Sequence, residues 1–349
     1  MRNVPAVSRR GLTLLIAGAG VLAALIAAAV PSVPYVALTP GPTLNTLGTA
    51  AGHPLIQIDG RRTYPARGHL NMVTVSFLGG PGTDFNIFAA LRAWLSRSDA
   101  VVPESVIFPP GQSQQQVAQQ DTEQMVGSQQ TATAAALCQL GISFTTVDTI
   151  EGTEKSMPAS GVLKRGDVIS AVDGTPVTCH GDAAALIRAR TPGAPVELTI
   201  LRHGKSEKIH LATHNVQGRA VVGVDVVESF VFPFSVKISI GNIGGPSAGM
   251  MFALGIIDKL TRANLTGGAF IAGTGEIEAN GTVDPIGGIQ QKMIGARAAG
   301  ATVFLTPAAN CPDTAGAVPA GLRLIKVSTL SGAVGDLDAL KQGRPVPSC

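Results

Sequence analysis

Gly11 to Val30 is a run of twenty residues without a charge, rich in Leu, Ile, Val and Ala. A helix of that length rises about 30 Å, the hydrocarbon thickness of a bilayer. Arg2, Arg9 and Arg10 precede the run and no charge follows it until Asp59. This asymmetry predicts the N-terminus inside and the bulk of the chain outside the cytoplasm. Ala27-Ala28-Ala29 would suit a cleaved signal peptide, but the run exceeds the roughly 7–15 apolar residues of such signals, so an uncleaved single-pass membrane anchor is expected. Pro31, Pro34, Pro40 and Pro42 with Gly41 predict an extended exit from it. Leu55 to Ile58 and Leu70 to Phe77 read as strands, and Phe85 to Leu95 as a helix. The Gln-rich stretch from Gln112 to Leu140 grows apolar toward its end, which favours a long surface helix over a flexible linker. The strands before residue 80 are expected to pack on the C-terminal part of the chain, making the middle an insertion in space.

That middle is β-rich. Val196 to Leu201 and Ile209 to Leu211 alternate apolar and polar residues about the turn Arg202-His203-Gly204-Lys205, the pattern of a hairpin. Gly204-Lys205-Ser206 is not a phosphate-binding loop, because that loop needs glycine at position 199, where Thr199 stands. Upstream, Arg165-Gly166-Asp167-Val168-Ile169 and Ala171-Val172-Asp173-Gly174 resemble the signature of bacterial PDZ domains, with a helix expected near 181–190. The resemblance implies a module that adds an extended peptide, often a C-terminus, to a sheet edge. A PDZ fold serving only as a spacer is the bland alternative. Leu140-Gly141-Ile142 is a candidate for its carboxylate-binding loop.

The chemistry lies further on. Gly244-Gly245-Pro246-Ser247-Ala248-Gly249 is a small-residue turn opening an apolar run, Met250 to Leu260, so the Ser247 hydroxyl is expected at a helix N-terminus. Unpaired N–H groups and the positive dipole end there can receive developing negative charge, with backbone groups of the Gly245 to Ser247 turn as the expected oxyanion donors. The turn also fits GxSxG, but an α/β-hydrolase places its acid and histidine after the serine, and no histidine follows His214. A histidine-first order survives on paper. His180, His203, His210 and His214 fall in the PDZ-like segment, however, and His53 and His69 near the N-terminus. Among the lysines after Ser247, Lys292 stands out. It follows Gly287-Gly288 and opens a short helix running to Gly300. The helix dipole and burial both depress an ammonium pKa from about 10.4 toward neutrality, and a neutral amine accepts a serine proton. A solvated helix lysine is the ordinary alternative.

GGPSAG, Thr274-Gly275-Glu276-Ile277, PIGGIQQK with ARAAG at 296–300, and Phe304-Leu305-Thr306-Pro307 leading to Asn310 resemble the proteolytic domain of the Lon-type serine peptidases over roughly residues 217–342. The resemblance implies Ser247 as nucleophile, Lys292 as its base and Thr274 as a hydrogen-bond partner of the lysine, with Gly245 and Pro246 shaping the turn. Many family members carry Asp where this chain has Gly245, so local hydrogen bonding beside the serine differs. The ATPase module of Lon architecture has no counterpart motif here.

Composition adds exclusions. Charged residues make up 14% of the chain, the net charge is +3, and no basic cluster is interleaved with aromatics, which argues against nucleic acid as a partner. No HExxH motif or zinc-type cysteine spacing is present, so neither metal nor cofactor is expected. Of the possible cysteine pairings, Cys138 with Cys179 and Cys311 with Cys349 respects the domains; sequence leaves the others open. The expected fold is α+β: a Lon-type proteolytic domain (217–349), a small β-rich PDZ domain (126–216), a strand and helix segment packed on the protease (34–125), and one N-terminal transmembrane helix (1–33). The expected function is that of an extracytoplasmic, ATP-independent serine endopeptidase whose PDZ domain takes polypeptide. An inactive PDZ adaptor is the alternative, and a homo-oligomer stays open.

Overall fold

The computed structural model of the chain describes residues 9–349 apart from positions 51 and 242, and without the side chains of residues 25–29. Helix α1 (Arg9–Ala29) comes first. Strands β1 (Tyr35–Asn45), β2 (Ile56–Asp59) and β3 (His69–Leu78), helix α2 (Ile87–Leu95), strand β4 (Ala100–Pro103) and the long helix α3 (Gln114–Gln139) follow. Next are β5 (Thr145–Thr153), β6 (Val168–Val172), helix α4 (Ala183–Arg188), β7 (Pro195–Arg202), β8 (Lys205–Ala212) and β9 (Val224–Val231). The chain then forms β10 (Ser235–Ile238), α5 (Gly249–Leu260), β11 (Phe270–Gly273), α6 (Ile289–Ala298), β12 (Val303–Pro307), β13 (Arg323–Val327) and α7 (Leu330–Lys341).

Two sheets organise these elements. The first has the order β13-β12-β11-β3-β1-β4. Its β13, β12, β11 and β3 run parallel, while β1 pairs antiparallel with both β3 and β4, giving a mixed sheet. The strands before residue 80 are therefore integral to the sheet that carries the C-terminal elements. On one face, Met250, Phe252, Leu254 and Ile256 of α5 share a core with Leu70 and Met72 of β3 and with Met125, Ala132 and Leu137 of α3. On the other, Ile289, Met293 and Ala296 of α6 pack with Val73 and Phe304.

Helix α3 begins at a capping box, in which the Ser113 side chain accepts from the Gln116 N–H while the Gln116 side chain accepts from the Ser113 N–H. Its apolar second half lies in the core shared with α5 and β3, so the expected boundary at 126 falls inside one helix. At its end, Gly141 takes φ +65° and the Ile142 N–H donates to the Leu137 carbonyl. Leu140 and Ile142 pack against that same core. This segment thus closes the helix by a glycine cap.

The second sheet, in the order β8-β7-β6-β5-β9, is antiparallel throughout. Its core holds Ile150, Ile169, Leu198 and Ile200 with Ile187 of α4. The hairpin turn places His203 at φ +49° and Gly204 at φ +76°, as a two-residue turn matched to strand twist requires. Strand β9, which lies beyond residue 216, pairs with β5 at the edge of this sheet. Two disulfides close the expected pairs, Cys138–Cys179 and Cys311–Cys349. The first ties the last turn of α3 to the segment between β6 and α4.

Among the described residues no helix is long and apolar enough to cross a membrane. Helix α1 is described with its side chains only over residues 9–24, a rise of about 24 Å against the roughly 30 Å of a bilayer core. The transmembrane expectation for 1–33 therefore reaches beyond what is described, and Arg2 lies outside the described residues. Within them, Leu12, Leu14, Leu15, Ile16, Val21 and Leu22 are all exposed.

Candidate active site

Ser247 stands two residues before α5, and its carbonyl is pinned by the Gly275 N–H at 2.8 Å and the Thr274 hydroxyl at 2.9 Å. The preceding turn is held from a distance in sequence. The Ser128 hydroxyl of α3 donates to the Pro246 carbonyl at 2.9 Å, and the Gly245 N–H donates to the Asp121 carbonyl at 3.1 Å. Gly244 and Gly249 are required by close approach: a Cβ at Gly244 would lie 2.5 Å from Asp121 Cβ, and one at Gly249 2.8 Å from Ile277 Cγ2. Gly245 has open space around it but φ +84°, so the freedom it supplies is conformational.

Lys292 arrives from the other side of the sheet junction. Gly288 enters α6 at φ +67°, with Val75 Cγ2 only 2.7 Å from where a Cβ would sit. Asn310 fixes the approach to that helix, accepting from the Ile286 N–H at 2.9 Å and donating to the Ile286 carbonyl at 3.0 Å. The result places Lys292 Nζ 2.8 Å from Ser247 Oγ and 3.2 Å from Thr274 Oγ1.

Lys292 is 4% exposed and Thr274 fully buried. Burial drives the lysine pKa down to about 7, with the nearby Glu276 carboxylate opposing the fall. Glu276 is itself raised by burial and by Asp284, and lowered by Lys292. About half of the amine is neutral at pH 7, the form that accepts the Ser247 proton.

Ser247, Glu276 and Lys292 line one cleft of about 560 Å³, with Met72 to Phe77 of β3 along one side and Ile243 to Ala248 along another. No described histidine lines it. His180 lies against Cys138 Sγ, His69 stacks on Phe270 and His203 turns the β7–β8 hairpin, so a histidine base is excluded for Ser247. One expectation needs correction. The Gly245 N–H is engaged by Asp121, and Pro246 has none, so within the expected oxyanion turn only the Ser247 N–H is left. That group and the Ala248 N–H have no acceptor among the described residues. Sequence reasoning missed Ser128, Asp121 and Glu276 as neighbours of the dyad. The first two act across about 120 positions and carry no motif.

Residues 227–334 match the Lon protease (S16) C-terminal proteolytic domain, and residues 138–213 match a PDZ domain. The chain is 31% identical over 168 residues to the Lon protease of Mycolicibacterium smegmatis, covering 46% of this chain and 21% of that one. It is 40% identical over 93 residues to Lon protease 1 of Sorangium cellulosum, covering 26% and 11%. It thus spans only a fraction of the length of these relatives. The crystal structure of the PDZ domain of an SdrC-like protein from Listeria innocua is 20% identical, covers 23% of this chain and 92% of its own, and has a TM-score of 0.22. The chain therefore carries a Lon-type serine peptidase domain beside a PDZ domain.

Proposed function

We propose that the chain is a membrane-anchored, extracytoplasmic serine endopeptidase that works without ATP through a Ser247 and Lys292 dyad. The observation that carries the reading is the 2.8 Å separation of Lys292 Nζ and Ser247 Oγ in a cleft that holds the amine largely out of water.

The neutral amine takes the serine proton as Oγ attacks a peptide carbonyl. Oxyanion charge then develops beside the Ser247 N–H and the N-terminal end of α5, where free donors and the helix dipole favour it. Lys292, now an ammonium held by Thr274, returns the proton to the leaving amine. It next accepts one from the water that hydrolyses the acyl-enzyme. Thr274 positions both partners at once, since its hydroxyl contacts Lys292 Nζ and the Ser247 carbonyl.

Polypeptide selection falls to the PDZ domain, where a groove of about 230 Å³ runs between Ala184, Ile187 and Arg188 of α4 and the segment from Ala220 to Asp225. The chain's substrates are flexible segments, exposed tails or membrane-protein loops, which reach the cleft without prior unfolding. The anchor reading rests on the uncharged run from Gly11 to Val30, the arginines before it and the exposed apolar side chains of α1.

A fluorophosphonate probe tests the dyad. It should label the wild type and neither Ser247→Ala nor Lys292→Ala, with both variants folded by circular dichroism. Absence of labelling in the folded wild type would favour the inactive adaptor.

A further inference from the structure

Helix α2 buries its small residues and exposes its large ones. Ala90 and Ala93, 8% and 4% exposed, face the core with Ala37 and Phe85. Ile87, Phe88, Leu91, Trp94 and Leu95 are 42–70% exposed. Ile87, Leu91, Trp94 and Leu95 follow the i, i+4, i+7, i+8 spacing of one helix face. A surface helix normally turns such residues inward. A contiguous patch of this kind marks an interaction site.

The chain around the patch indicates what covers it. On leaving α1, the Val33 N–H donates to the Phe85 carbonyl at 2.8 Å and Ser32 bridges Asn86, the N-cap of α2. Helices α1 and α2 approach one another, and each exposes large apolar side chains. Exposed Leu78, opposite Ala37 in the sheet, and Val106 extend the apolar surface at the same end. The helix contains no acidic residue, and Arg92 and Arg97 are exposed on and just beyond it. A Trp, Phe and Leu face edged by arginine is the composition of a helix lying in a bilayer interface.

We propose that the exposed face of α2 rests in the interfacial layer of the membrane that holds α1, with anionic phospholipid as its partner. The inference rests on the anchored reading above. It gives the protease a fixed attitude: the catalytic domain lies down on the bilayer through α2 and does not swing freely from α1. Phe77, which lines the cleft and is itself exposed, then sets one edge of the cleft toward the lipid.

Trp94 is the chain's one tryptophan and reports directly on this placement. The full chain is reconstituted into vesicles of phosphatidylcholine and phosphatidylglycerol, with and without brominated acyl chains, and flotation after a carbonate wash tests the anchor separately. The expected result is flotation, a blue-shifted emission, loss of most of that emission to brominated lipid, and little quenching by iodide. Flotation with iodide quenching and no bromine effect would overturn the proposal while leaving the anchor intact. Failure to float would overturn both. Blue-shifted emission insensitive to both quenchers would mean that a second copy covers α2, again overturning it. In a Leu91→Asp and Leu95→Asp double variant, flotation and cleavage of a soluble peptide should persist while the bromine effect is lost; full retention of that effect also refutes the placement.

Discussion

Replacing Lys292 by methionine removes the base and, at the same time, a lysine that folding forces out of water. In the folded chain its pKa is about 7, against about 10.4 in an unfolded one. Between those values the unfolded state binds more protons than the folded state, so the lysine's contribution makes wild-type stability rise with pH. The slope approaches about 1.4 kcal/mol per pH unit above pH 7 and is half that at pH 7, which integrates to about 2 kcal/mol from pH 7 to 9. Below pH 7 the folded lysine is itself charged and the penalty stays at its full size. Lys292→Met should therefore be inactive yet more stable than wild type at pH 7, with that advantage shrinking by about 2 kcal/mol at pH 9. Urea unfolding of both proteins across this range measures it. Wild-type kcat/KM on an unstructured peptide supplies the matching kinetic limb, falling about tenfold from pH 8 to pH 6 as the neutral fraction falls. A stability difference that does not change with pH, together with a kinetic limb unmoved from the usual lysine range, would refute a depressed Lys292 as the base.

Glu276→Gln removes the charge that opposes the depression of Lys292, so the acid limb of the pH–rate profile should move to lower pH; a shift to higher pH would contradict the assigned sign. Gly288→Ala meets both a left-handed φ and Val75, and should cost on the order of 2 kcal/mol with most activity lost, read by urea unfolding and probe labelling. Ser128→Ala leaves the Pro246 carbonyl without its hydroxyl donor, and should cost about 1 kcal/mol while lowering kcat more than it changes KM. Glu228 sits opposite Asp148 across β9 and β5, and burial first and Asp148 second raise its pKa to about 7. Its folded state binds the extra proton between about pH 4.5 and 7, so this contribution falls as pH rises through that window. Glu228→Gln should then raise thermal stability at pH 8, by about 1–2 kcal/mol after allowance for its partial exposure, and change little at pH 4.

The dyad was legible before any coordinates because both members sit in short motifs whose local geometry follows from glycine. The small-residue turn before α5 and the left-handed entry into α6 are fixed by Gly245 and Gly288 within a few residues of Ser247 and Lys292. The hairpin was legible for the same reason, since alternation and turn residues act over a few positions. The oxyanion turn was misjudged where its donors are decided by a remote partner: Asp121, more than a hundred residues earlier, takes up the Gly245 N–H.

By itself, then, the sequence determined the elements, the two chemical groups and the two domain types, because each is encoded in contiguous residues. Tertiary structure alone decided the 2.8 Å meeting of amine and hydroxyl, the burial that lowers the amine's pKa, and the disulfide that ties α3 to the segment between β6 and α4. It also decided that β3 would lie beside β11, and that α2 would turn its large side chains outward. These outcomes depend on which surfaces exclude water from one another, a property of packed elements that no local stretch of residues carries.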